Sequence, residues 1–130
     1  MPKGAATMTY TDPNGTIYTI NDGTLNVATP PAPGANAKCL DTGARTNGTG
    51  VRVWQCVAGG HPNQTWVIDG GQIIVADTVG TSSPMCLSTL NSRNNGDNLL
   101  LWVCKAAGQP GYANQMWVVQ DGAIKLADTI

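Results

Sequence analysis

Apolar and β-branched residues fall in short runs along this chain, at 16–20, 24–28, 51–56, 64–68, 72–76, 99–104, 115–119 and 123–127, each bounded by Gly, Asn, Asp or Pro. Runs of that length between turn residues predict strands and hairpins rather than helices. Asp22-Gly23, Asp69-Gly70-Gly71 and Asp121-Gly122 stand between paired runs, where a tight hairpin needs positive backbone angles. A longer period is laid over these runs. An aromatic residue is followed at offsets of 5, 7 and 10 by Gly, an aliphatic residue and Ala in Tyr18/Gly23/Leu25/Ala28, Trp66/Gly71/Ile73/Ala76 and Trp117/Gly122/Ile124/Ala127. The aromatics lie 48 and then 51 residues apart, which marks a fold built by reusing one unit whose copies bury a shared core.

The 130 residues suffice for one domain that removes roughly two thirds of its unfolded surface from water. Charged residues make up 12%, the formal net charge is -1, and all eight acids are Asp. Helix formers are scarce while Thr, Val, Ile, Gly, Asn and Asp abound, which again favours strands and tight turns. Seven scattered basic residues give no face able to neutralise several phosphates, so nucleic acid is not expected as a partner. No apolar run is long enough to span a bilayer, so no membrane insertion is expected, and the N-terminus lacks the apolar segment of a signal peptide. The sequence reads as that of a soluble chain. The Pro-rich stretch 29–37 has a counterpart between Ala76 and Cys86, so it is read as a loop inside one domain.

Cys39, Cys56, Cys86 and Cys104 contain no Cys-x-x-Cys, and there is one His, so neither a metal site nor any cofactor is indicated. Each repeat holds one pair. Cys39 with Cys56 and Cys86 with Cys104 would close loops of 17 and 18 positions, each stabilising by about 3 kcal/mol. Disulfides imply an oxidising compartment and a secreted or extracellular protein; free buried thiols in a cytosolic protein are the alternative.

Within each complete repeat the order is Cys-Leu-Asp/Ser, a polar loop, an apolar strand ending Trp-x-Cys, a further loop, Asn-Gln-x-Trp, the Asp-Gly turn and an aliphatic-x-x-Ala segment. The third copy is split between the chain ends and lacks Cys and Gln-x-Trp. About eleven strands are clear, one short of twelve. A vacant strand position would leave an open edge that a second copy can occupy, giving a homodimer.

Cys39-Leu40-Asp41, Val53-Trp54-Gln55-Cys56 and Asn63-Gln64-Thr65-Trp66, echoed by Cys86-Leu87-Ser88, Trp102-Val103-Cys104 and Asn114-Gln115-Met116-Trp117, resemble the ricin B-chain-like (R-type) lectins. The resemblance covers nearly the whole chain from about residue 16. It implies an all-β fold, a β-trefoil of three pseudo-symmetric lobes in a single domain over 1–130, with lobes at about 1–28 plus the C-terminal end, 29–76 and 77–128, the N-terminal one degenerate. It also implies glycans or glycoconjugates as partners, bound without chemical turnover and of galactose type or related. The Gln-x-Trp tryptophans, with Tyr18, are then structural.

A saccharide site asks for a flat apolar surface against the C–H face of a pyranose and short polar groups for its hydroxyls. Strand alternation puts Arg52 and Trp54 on one face and Val51 and Val53 on the other, so the valines are expected inward and Trp54 outward; packing of Trp54 against the Cys39–Cys56 bridge is the alternative. Carried over from the resemblance, Asp41 accepts hydroxyls, Trp54 stacks, Asn63 adds a hydrogen bond, and Gln64 supports Asp41 from behind. Arg52 joins the site where the family more usually has Gln. The second repeat keeps Trp102, Asn114 and Gln115 but has Ser88 for the acceptor and Leu100 for Arg52, so it is expected to bind weakly. Asp97 is read as a turn residue, as are Asp12 and Asn14 beside Tyr10.

No Glu, nucleophile elbow or phosphate loop is present. His61 is alone beside Pro62, and Asp22, Asp69 and Asp121 sit at turns, so no enzyme is indicated. The sequons at Asn14, Asn47 and Asn63 are attributed to a composition rich in Asn, Gly and Thr. Two competing readings remain open: a protein-interaction or protease-inhibitor scaffold using the 29–37 loop, and a carbohydrate-binding module of a larger glycoside hydrolase.

Overall fold

The computed structural model describes residues 38–120 and 123–130 in full, and before them the backbone of strands at 8–11, 17–20, 23–24 and 26–27. Expectations on Asp12, Asn14, Asp22, Leu25, Ala28, the 29–37 loop, the Asp121-Gly122 turn and the side chains of Tyr10 and Tyr18 lie outside the described residues. Twelve strands and no α-helix occur among the described residues: β1 (Met8–Thr11), β2 (Ile17–Ile20), β3 (Gly23–Thr24), β4 (Asn26–Val27), β5 (Lys38–Asp41), β6 (Arg52–Gln55), β7 (Thr65–Asp69), β8 (Gln72–Val75), β9 (Met85–Ser88), β10 (Leu100–Val103), β11 (Trp117–Gln120) and β12 (Ala123–Leu126). Short 3-10 turns follow in matching places, Pro62–Gln64 and Ala76–Thr78 in one repeat, Tyr112–Gln115 and Ala127–Thr129 in the next. By the offsets of the repeat, β3 and β4 together take the place that β8 and β12 each take as one strand, so the twelve strands stand for eleven positions of the repeat.

The strands pair as β1-β2, β4-β5-β6, β10-β9-β8-β7-β3 and β11-β12. The β7-β8 hairpin turns through Gly70 and Gly71, both at positive φ, as Asp-Gly-Gly requires. The runs around Asp22-Gly23 behave differently. β2 pairs with β1 through Tyr10↔Tyr18, while β3 and β4 pair with β7 and β5, so these two runs reach to separate partners instead of closing one hairpin. The strand Met8–Thr11, which pairs with β2, alternates Met-Thr-Tyr-Thr over only four residues and is a weak signal in the sequence.

The fifty-residue pattern has a direct structural cause. Gly23 of one unit faces Trp66 of the next in the β3-β7 register, and the Gly71 carbonyl accepts from the backbone N–H of Trp117 at 2.9 Å. Trp66 and Trp117 therefore each dock on the glycine of the preceding unit. At Gly71 the demand is double: φ is +90°, and an added Cβ would stand 2.7 Å from Met116 Cε.

The core comprises Leu40, Trp66, Ile73, Val75, Met85, Leu87 and Leu101, with Val51, Ile68, Leu99, Val103, Trp117 and Val119 packed around it. Trp66 is sealed at 1% exposure, and its indole N–H donates to the Leu40 carbonyl at 3.0 Å. Trp117 does the same to Leu87. A buried indole needs such an acceptor, and both tryptophans of Gln-x-Trp thus act structurally. Val53 departs from expectation. It shares a face with buried Leu40 yet is 52% exposed, because β6 pairs only with β5 among the described residues. Its counterpart Leu101 lies between β9 on one edge and residues 48–49 on the other, which bond to both its N–H and its carbonyl, and it is fully buried.

Candidate functional site

The register of β5 and β6 sets the site. Asp41 faces Arg52 and Cys39 faces Trp54, and residues opposite one another in an antiparallel pair project to the same side. Asp41, Arg52 and Trp54 therefore emerge together beside the Cys39–Cys56 disulfide. Trp54 is 52% exposed, which answers the alternative of a core residue. The second disulfide, Cys86–Cys104, lies in the same relation to Trp102, which faces Cys86.

Asp41 is only 5% exposed, and both its oxygens are engaged. Oδ1 accepts from Arg52 Nε and Oδ2 from Gln64 Nε2, each at 3.0 Å. The Arg52 guanidinium in turn lies over the Trp54 ring, 4.0 Å from its centroid. A cation on an indole face is favourable, and here it ties the carboxylate to the ring through one side chain.

Gln64 supports more than Asp41. Its Nε2 also donates to the Gln55 carbonyl at 2.9 Å, and its Oε1 accepts from Val57 N–H at 2.9 Å. The buried amide thus binds the peptide groups on either side of Cys56. Gln115 repeats this around Cys104, through the Val103 carbonyl and the Lys105 N–H. Buried amides satisfied in this way hold a loop in one conformation, and no buried side-chain polar atom lacks a partner among the described residues.

Asn63 reaches the site because its carbonyl accepts from Thr42 N–H, next to Asp41, at 3.0 Å. Its Oδ1 accepts from Arg45 Nη1 at 2.9 Å, and Arg45 forms a two-pronged pair with Asp77. The second repeat has the same clamp: Arg93 donates to Asn114 Oδ1 and twice to Asp128. The hydrogen bonds from Arg93 hold the Asp128 carboxyl below the usual aspartate range, against a smaller opposing effect of desolvation, and the same bonding to Asp128 raises the Arg93 value. These four residues carry no role in the sequence reading. Their signal is the recurrence of Ala-Asp-Thr at 76–78 and 127–129, with an Arg shortly after the first Cys of each repeat.

The remaining candidates have local tasks. His61 Nδ1 accepts from Asn63 N–H and caps the 3-10 turn. Asp97 accepts from Ser92 Oγ and Asn94 N–H, as a turn residue does. Asn47 Oδ1 accepts from Val103 N–H at 2.7 Å, so this sequon asparagine is part of the packing. Among the described residues no group of three or more His, Cys, Asp or Glu gathers as a metal site, and no helix is long and apolar enough to cross a membrane.

No curated protein and no solved structure matches the chain. A family model described as the ricin-type beta-trefoil lectin domain does match, over residues 14–117. That span is more than half of the sequence and includes both disulfides and both Asn-Gln-x-Trp segments. The chain belongs to the ricin-type beta-trefoil lectin domain family.

Proposed function

We propose that the protein is a lectin that binds galactose-type or related sugars without altering them, with its main site at Asp41, Arg52, Trp54, Asn63 and Gln64. The observation that carries this reading is the exposed Trp54 ring beside an oriented carboxylate, joined through Arg52. The C–H face of a pyranose stacks on the indole, and a sugar hydroxyl takes the place of Arg52 as donor to Asp41 Oδ1. Asn63 adds its Nδ2 as a donor, because Arg45 holds its Oδ1. Gln64 keeps Asp41 in place from the buried side.

Arg52 occupies the ring face and one carboxylate oxygen before ligand arrives. Its side chain is 59% exposed, so it can leave the ring at low cost and remain at the rim. Family membership supports glycans as partners, and nothing in the site calls for a general acid or base. The two disulfides support an extracellular location. The exchange of strands between successive units supports three lobes, at about 1–28 plus the C-terminal end, 29–76 and 77–128.

The test is a glycan array probed with the intact protein, with free galactose and xylose as competitors. Binding to galactosyl glycans displaced by galactose is expected. Absence of glycan binding would leave the family fold in place but remove this function.

A further inference from the structure

The second repeat presents an open cleft of about 310 Å³ where Trp102, Ser88, Leu100, Lys105, Pro110 and Asn114 meet. We propose that this cleft binds a saccharide carrying an anionic substituent, a uronate carboxylate or a sulfate ester. The proposal rests on the lectin reading above and names the ligand class of its second site.

The register makes the two sites comparable position by position. Cys86 faces Trp102 and Ser88 faces Leu100, as Cys39 faces Trp54 and Asp41 faces Arg52. At these positions the first repeat carries a carboxylate and a guanidinium that neutralise each other, and the second carries neither. One residue beyond the second Cys, Val57 is replaced by Lys105. Lys105 is the one ionisable side chain lining the cleft, and no described carboxylate forms an ion pair with it. The site has therefore changed from a neutralised pair to a single cation.

The neutral functions in the cleft are engaged within the protein, and none offers the charged acceptor that Asp41 gives the first repeat once Arg52 moves away. Ser88 is 4% exposed, and its hydroxyl donates to the Thr89 carbonyl. The Asn114 side chain is held at Oδ1 by Arg93 and donates through Nδ2 to Asn91 Oδ1. Lys105, by contrast, is held at its backbone while its ammonium makes no ion pair with a described carboxylate. Its N–H donates to Gln115 Oε1 at 2.8 Å and its carbonyl accepts from Gln72 Nε2 at 2.9 Å. Its aliphatic stem passes Gly111, with Cε 3.9 Å from where a Cβ would stand there. The Trp102 ring is 39% exposed, and Leu100 in place of Arg52 puts no cation over it. An apolar platform and a single cation lining the same cleft suit a pyranose whose anionic group pairs with the ammonium.

The experiment titrates methyl galactoside, methyl galacturonide and methyl galactoside 6-sulfate into the Trp54→Ala protein, which isolates the second site. At least one acidic ligand is expected to bind about tenfold or more tightly than the neutral one, with affinity falling as salt is added and lost in Trp54→Ala/Lys105→Gln; which acid binds identifies carboxylate or sulfate. Equal binding of acidic and neutral ligands, or acidic binding unchanged by Lys105→Gln, would overturn the proposal. If the unsubstituted protein binds methyl galactoside through Trp54 while no acid preference appears, this inference fails and the lectin reading stands. Acidic binding through Lys105 with no neutral ligand held at Trp54 supports the inference and removes the main site.

Discussion

The guanidinium of Arg52 lies 4.0 Å from the centroid of the Trp54 ring. At an exposed position such a contact is worth about 0.5–1 kcal/mol, and the ion pair to Asp41 adds little for a side chain that is 59% exposed. The contact is strong enough to order the ring and weak enough to be exchanged for a ligand. Arg52→Ala is therefore expected to tighten binding of a neutral galactoside by about two- to fivefold, the equivalent of those energies. Titration calorimetry checks this, and weaker binding in the variant would make Arg52 a contributor to ligand affinity.

Gln64 and Gln115 are buried, and each satisfies peptide groups on both sides of a disulfide cysteine. Replacing either by Ala leaves buried donors and acceptors without partners. A loss of about 2–4 kcal/mol in denaturant unfolding is expected for each, since one unsatisfied buried group costs about 1–3 kcal/mol. Only Gln64 also holds the Asp41 carboxylate, so Gln64→Ala is expected to weaken main-site sugar binding in the folded protein while Gln115→Ala leaves it unchanged.

Much of this arrangement is legible in the chain. Period-two alternation was enough to put Arg52 and Trp54 on one face, and the offset of 5 from aromatic to Gly points to contacts that the register explains as docking between units. The alternation fails at Val53, because facing the core side of a strand does not bury a residue when β6 pairs on one side only among the described residues. β5 and β9 are short segments without a visible alternation, so their pairing appears only when β6 and β10 are present to pair with them. The Arg45–Asp77 and Arg93–Asp128 clamps link residues 32 and 35 positions apart, a separation that local periodicity does not encode. Only the recurrence of Ala-Asp-Thr gives a hint of them.

Gly71→Ala puts a side chain at φ +90°, a conformation costing about 1–3 kcal/mol, and pushes it toward Met116. Gly80 has a similar φ of +83° with open space around it. Both substitutions are expected to destabilise, Gly71→Ala the more because the Met116 side chain must move. Equal losses in thermal unfolding would show that close docking between units is not what requires glycine at Gly71.

Asp128 has its pKa held down in the folded state, first by the hydrogen bonds from Arg93. A depressed carboxylate contributes stability that is present above its unfolded pKa and is lost as the pH falls through the lower folded value. Acid unfolding below about pH 4 is therefore expected to draw on this pair, and Asp128→Asn should flatten that limb of the stability profile without changing its slope near neutrality. An unaltered acid limb in the variant would contradict this.

The most direct test of the main site is titration of methyl galactoside into the unsubstituted protein and into Trp54→Ala. Because Trp54 is 52% exposed, its removal is expected to leave the circular dichroism spectrum and unfolding temperature nearly unchanged, while loss of the stacking face weakens binding by about tenfold or more. Undiminished affinity in a folded Trp54→Ala protein would contradict the account.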